Sequence, residues 1–165
     1  MGENKAVDYP LMFTFRDVIS GNGWLAGVTL SGRALMTNED GWWMYGVRPG
    51  AIAETGETPQ ETFLRFRNTY KAVLFDMASD SANFDAFKKE AEQFYYQLDD
   101  DQERRWTEAV NNVRLSNIKP EPLFASLPKE PPETRPSQIA VERLDVTKRF
   151  AADDNIPDQF FSAAA

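Results

Sequence analysis

Cysteine and histidine do not occur in this 165-residue chain. Their absence removes disulfides, thiolate metal sites and thiol nucleophiles. It also removes the Ser-His-Asp triad and every imidazole base. The chemistry left open is that of carboxylate pairs, carboxylate-held magnesium, and Ser-Lys or Tyr-Lys arrangements. A magnesium-dependent nuclease of the ribonuclease H type would need acidic residues converging from strands and a helix. Asp17, Asp40 and Asp76 are the scattered candidates. Asp40 is better explained by its turn, and Asp76 by the exposed side of a helix. Asp99-Asp100-Asp101 could hold magnesium, but carboxylates at a helix start accept its orphan N–H groups and suit its dipole. The helix start is the preferred reading. Gly21 and Gly23 lack the third glycine and the following helix of a phosphate loop. The expectation is a non-enzyme with no catalytic residue, no metal ligand and no cofactor.

Charge and aromatics then point toward partners. The net charge is −8 and the isoelectric point about 4.6, with the acidic excess centred in the middle third. Such a surface repels nucleic acid and favours basic partners, so direct nucleic-acid binding is not expected. Arg65, Arg67 and Lys71, with Arg16, Arg33 and Arg48 before them, form the clearest basic cluster, read as a solvated helix face balanced by Glu61 and Asp76. Trp24, Trp42, Trp43 and Tyr45 could line a small-ligand pocket. Adjacent tryptophans on a strand point to opposite faces, so one of Trp42 and Trp43 faces away from the core. Trp43 shares its face with Tyr45 and Val47, the bulkier set. The expectation places Trp43 inward and Trp42 outward, as an interface residue. Phe160 and Phe161, near the end of the chain, are a second candidate partner contact, or equally a tail that packs on its own domain or on a second copy.

The elements that must position these residues follow from periodicity. Residues 11–19 alternate as a strand, and 24–30 follow as its hairpin partner after the turn SGNG. Gly27 hints at a bulge or a close approach of another element. Ser31-Gly32 reads as another turn before a strand at 33–37. Asp40-Gly41 supplies the positive φ of a hairpin turn, with strands at 42–47 and 51–55 after it. Thr58-Pro59-Gln60-Glu61 is a capping box with proline at the first helical position. A helix over 59–78 follows, its apolar face formed by Phe63, Phe66, Tyr70, Val73, Leu74 and Met77. A second helix starts at Asp80 or Ser81 and carries Phe84, Phe87, Ala91, Phe94 and Leu98. A third runs from the aspartate triplet to about Leu115 and buries Trp106, Val110 and Val113. Prolines crowd residues 118–137, which read as an extended arm. Residues 138–146 could be a strand or a short helix, with strand preferred.

The stretch Glu39-Asp40-Gly41, Val47-Arg48-Pro49-Gly50-Ala51 and Gly56-Glu57-Thr58-Pro59-Gln60-Glu61 resembles the HicB-like antitoxin domain over residues 33–78. That family places a DG turn between two strands, a Pro-Gly step, a short strand, and a GDT-type start to a long helix. The resemblance implies a small antiparallel sheet with a helix on one face, a degenerate ribonuclease H fold without its catalytic carboxylates. It implies binding to a small basic RNA-cleaving toxin, assembly into dimers or tetramers, and in many members a DNA-binding segment. No helix-turn-helix is evident in residues 80–165, so promoter binding is not carried over.

The fold class expected is therefore α+β: a small antiparallel sheet packed by an amphipathic helix, with further C-terminal helices and a Pro-rich extended arm. Residues 1–117 would form one domain and 118–165 the arm and tail. The function expected is non-catalytic binding and masking of a small basic protein partner by a homo-oligomer. The alternative is an interaction or structural protein of the phage or mobile-element type with the same fold and no toxin, and after that the magnesium nuclease. No run reaches the length of a membrane span, and MGENKAVDYP lacks a secretory apolar region, so the expected location is cytoplasmic without membrane contact.

Overall fold

The computed structural model describes residues 7–97, 99–115 and 138–144, with the backbone of 159–161. Its order is β1 (Val7–Ser20), β2 (Leu25–Asn38), β3 (Trp42–Arg48), β4 (Ala53–Gly56), α1 (Pro59–Asp80), α2 (Phe84–Tyr96), α3 (Asp100–Arg114), β5 (Gln138–Leu144) and β6 (Gln159–Phe161). The fold is α+β. All strand pairs are antiparallel, in the order β4-β3-β2-β1-β6, with β5 also on β2.

The frame is a 14-residue pairing of β1 with β2, from Val7 opposite Asn38 to Ser20 opposite Leu25. The other edge of β2 is shared. Its first half pairs with β5 and its second half with β3. Ser31-Gly32 is therefore not a turn: β2 runs straight through it. Gly32 sits opposite Phe13, and a Cβ there would lie 2.5 Å from the Phe13 ring and 2.5 Å from the Arg48 carbonyl oxygen. The glycine makes room for a ring and for the end of β3, and a Ser-Gly pair kept for that reason looks like a turn in the sequence. The irregularity in register falls at Arg33/Ala34, where β3 takes over, rather than at Gly27.

Period-two alternation divides the side chains between two layers. Leu11, Phe13, Phe15 and Ile19 of β1 join Ala26, Val28, Leu30, Ala34 and Met36 of β2 in the main core, with Phe66, Tyr70 and Leu74 of α1 and Phe87, Ala91 and Tyr95 of α2. The opposite face carries a smaller cluster, Met12, Leu35 and Val47 beneath Trp106, Ala109 and Val110 of α3. Trp106 is fully buried and its indole N–H donates to the Leu11 carbonyl.

The helix starts follow local chemistry. The Thr58 hydroxyl accepts from the Glu61 N–H, the first half of the capping box, and the Glu61 carboxylate reaches back one residue beyond the cap to accept from the Glu57 N–H. Asn83, rather than Asp80 or Ser81, caps α2, its side chain accepting from the Ala86 N–H at 2.9 Å. Ser81 instead closes α1 and donates to the Met77 carbonyl. Asp99 caps α3, accepting from the Asp101 and Gln102 N–H groups. Leu98 and the proline-rich stretch 118–137 lie outside the described residues. Residues 138–144 and 159–161, from the part expected as arm and tail, hydrogen-bond into the sheet.

Candidate functional site

The β2–β3 hairpin turns at Asp40 (φ 49°) and Gly41 (φ 109°), the left-handed conformations that the Asp-Gly pair supplies. The turn fixes the register Met36 opposite Met44, and with it the faces of β3. Met44 lies in the main core and Trp42 packs against that core, 6.0 Å from Tyr9. Trp43 and Tyr45 therefore point to the α3 side. This reverses the expected assignment of Trp43 inward and Trp42 outward. Side-chain bulk could not decide it, because both faces of the sheet are covered, and α3 covers its face only in part. It buries Val47 fully and leaves Trp43 and Tyr45 half-buried.

The open part of that face has a definite structure. The Trp43 and Tyr45 rings stack within 8° of parallel, centroids 5.9 Å apart. The Arg105 guanidinium of α3 lies 5.5 Å from the Tyr45 ring centre and grips Asp8 through Nε (3.1 Å) and Nη2 (2.8 Å). Thr37 donates to the same carboxylate at 2.7 Å. Hydrogen bonding to Asp8 holds the Arg105 pKa above its ordinary value, aided by the charges of Asp8, Tyr45 and Glu39 and opposed by partial burial. Glu39 and Asp40 stand exposed in the adjoining turn, so the rim of the aromatic pair carries an acidic excess.

Two further ion pairs involve buried residues. Asp17 accepts a bidentate pair from Arg67, at 2.9 and 2.8 Å, and Arg67 also donates to the Arg16 carbonyl. The Arg67 guanidinium sits 4.5 Å from the Phe15 ring centre. Arg33 is buried too, donating to Glu103 at 2.6 Å while lying over the Trp106 ring. The basic cluster expected as a solvated helix face is thus not one. Arg67 and Arg33 are core residues, and only Arg65 and Lys71 of that helix stand in water. Helical spacing could have found this: Arg67 lies four after Phe63 and three before Tyr70, within the apolar stripe.

The structure does not bring the candidate carboxylates together. Asp17 is consumed by Arg67, and Asp76 is exposed on α1. Asp40 follows Asn38, which pairs with Val7, ten residues along β1 from Asp17. That is roughly 33 Å of strand. Among the described residues no three acidic side chains converge as metal ligands would. Nor do the four aromatics line one pocket. Trp24 packs on Phe84 and Phe87 at the opposite end of β2 from the Trp42–Tyr45 run. Phe160 and Phe161 lie in β6, their backbone paired opposite Phe13 and Met12. Among the described residues no helix is long and apolar enough to cross a membrane. Comparison with protein-family models, curated proteins and solved structures finds no match to this chain.

Proposed function

We propose that the chain is a non-catalytic protein-binding module that holds a small basic partner against the open face of β3. The observation that carries this reading is the stacked, half-buried Trp43–Tyr45 pair on a rigid strand, with Arg105 packed beside it and acidic Glu39 and Asp40 at its rim. Rigid aromatics lose little conformational freedom on binding and are frequent energetic centres of interfaces. The acidic rim and the net charge of −8 favour a basic protein and speed its encounter. Masking of an RNA-cleaving toxin is the specific form of this proposal, and it rests on the HicB-like resemblance of residues 33–78.

The test is titration with the small basic proteins encoded beside its gene, followed by calorimetry and an RNA-cleavage assay. One of them should bind with a defined stoichiometry, and its cleavage of RNA should fall in step with occupancy. Trp43→Ala should weaken that complex by about 2 kcal/mol, roughly thirtyfold. Full affinity in a Trp43→Ala, Tyr45→Ala double variant, or no binding by any such protein, would refute the reading.

A second reading, self-assembly without a toxin, is favoured by β1. Its outer edge is paired to β6 only over Met12–Thr14 among the described residues. The described residues pair with no other part of this outer edge of the 14-residue strand, which suits strand addition.

A further inference from the structure

Arginine is held in one way throughout the described part of this chain. Arg67 lies 4.5 Å from the Phe15 ring centre and is clasped by Asp17. Arg33 lies 4.9 Å from the Trp106 ring centre and is clasped by Glu103. Arg105 lies 5.5 Å from the Tyr45 ring centre and is clasped by Asp8. Arg48 repeats the arrangement more loosely, 5.9 Å from the Tyr95 ring centre and 3.8 Å from Glu103. The combination of ring and carboxylate suits a guanidinium in particular. The group is planar and weakly hydrated, so its face can stack on a ring while its N–H groups donate to a carboxylate.

Trp43 and Glu39 supply such a ring and such a carboxylate without a guanidinium. Tyr45 stacks on one face of the Trp43 ring. Among the described residues no second ring and no cation covers the other face, and Trp43 joins neither apolar cluster. Two residues before Trp43, where strand alternation would place the next side chain of the stack, stands Gly41, which has none. Thr37 is paired opposite Trp43 and shares its face, and Glu39 follows Thr37 by two residues at the exposed end of the hairpin. The Glu39 charge is felt by Arg105 on that same face. Among the described residues Glu39 forms no ion pair.

The geometry points to a seat for one arginine side chain of a protein partner, its guanidinium stacked on the Trp43 face away from Tyr45 and its N–H groups donating to Glu39. This inference rests on the reading of the β3 face as a partner surface, and it names the partner's anchor. The seat extends a ladder already built from Arg105 and Tyr45. Each of its two guanidiniums would have its own carboxylate, Asp8 for the inner and Glu39 for the outer, with two rings between them. Lysine fits less well, because its ammonium is a compact, strongly hydrated charge that cannot stack and fork at once.

The experiment is an NMR titration of the full chain with the peptide acetyl-Gly-Arg-Gly-amide, following the indole N–H signals of its four tryptophans. The Trp43 signal is identified as the one missing from Trp43→Phe. It should move and approach saturation with a dissociation constant of about 10 mM. The lysine counterpart should bind about threefold more weakly. The citrulline counterpart, of the same shape but uncharged, should bind about tenfold more weakly. Glu39→Gln, a substitution in an exposed turn, should weaken the arginine peptide about fivefold. A Trp43 signal that stays fixed, a lysine or citrulline peptide that binds as well as the arginine one, or full affinity in Glu39→Gln overturns the proposal. Two outcomes separate it from the reading it rests on. A basic protein that loses affinity for Trp43→Ala, yet binds unchanged after its arginines become lysines, overturns the arginine anchor and keeps the binding face. An arginine peptide that binds as described, where no basic protein binds, keeps the anchor and overturns the masking of such a protein.

Discussion

The residue with the least expected environment is Tyr70. It is 1% exposed, and its hydroxyl has no hydrogen-bond partner. Burial raises its pKa far above the ordinary tyrosine value, and the Asp17 carboxylate raises it further, against the lowering effect of Arg67. Both consequences can be measured. An orphan buried hydroxyl costs about 1–3 kcal/mol of desolvation. Tyr70→Phe keeps the ring and removes that cost, so it should leave stability in urea unchanged or raise it by about 1 kcal/mol. The pH dependence has a definite sign. A raised folded-state pKa means that the folded chain holds this proton when the unfolded chain has lost it. The stabilisation is complete below the unfolded value of about 10 and is lost progressively as pH rises above it. Wild type should therefore weaken above pH about 10 more steeply than Tyr70→Phe. Identical alkaline slopes in denaturant melts would show that Tyr70 ionises freely, against its burial. The hydroxyl is kept beside a buried ion pair whose own removal would be costly. Loss of either Asp17 or Arg67 alone leaves an unpaired buried charge.

At the scale of elements, the sequence was legible where a local rule acts alone. The Thr58–Glu61 box needs only four residues and their backbone, and α1 starts there. Thr58→Ala should cost about 1 kcal/mol, measured as a lower urea midpoint with an unchanged slope. The Asp40-Gly41 turn and the Asp99 cap of α3 were readable for the same reason. Legibility failed where a distant element decides. Gly32 resembles a turn until Phe13 and Arg48 arrive beside it from β1 and β3. Which face of β3 is left open depends on how much of the sheet α3 covers, which is set some 60 residues later in the chain. Arg67 looked solvated because its partner, Asp17, lies 50 residues earlier.

For the whole molecule, the arrangement of strands around β1 and β2 decides how the chain can associate. β2 is saturated, with β1 along one side and β3 and β5 sharing the other. Among the described residues β1 has a partner along its outer side only at Met12–Thr14. The basic-partner reading uses the α3-side face of β3, whereas self-assembly by strand addition uses the β1 edge. The two surfaces are distinct, so the two readings give separable outcomes. Light scattering on the full chain and on a chain ending at Leu144, which keeps β5 and removes β6, addresses the edge. If β6 serves as a plug on its own β1, its removal should raise the mass with increasing concentration, as freed edges pair between copies. If β6 crosses between copies, removal should lower an oligomer to a monomer. A mass unaffected by the truncation at all concentrations would mean that the β1 edge takes no part in self-association. Trp43→Ala should leave the mass unchanged in each of these cases, because the aromatic pair lies on a face of β3 rather than on an open edge.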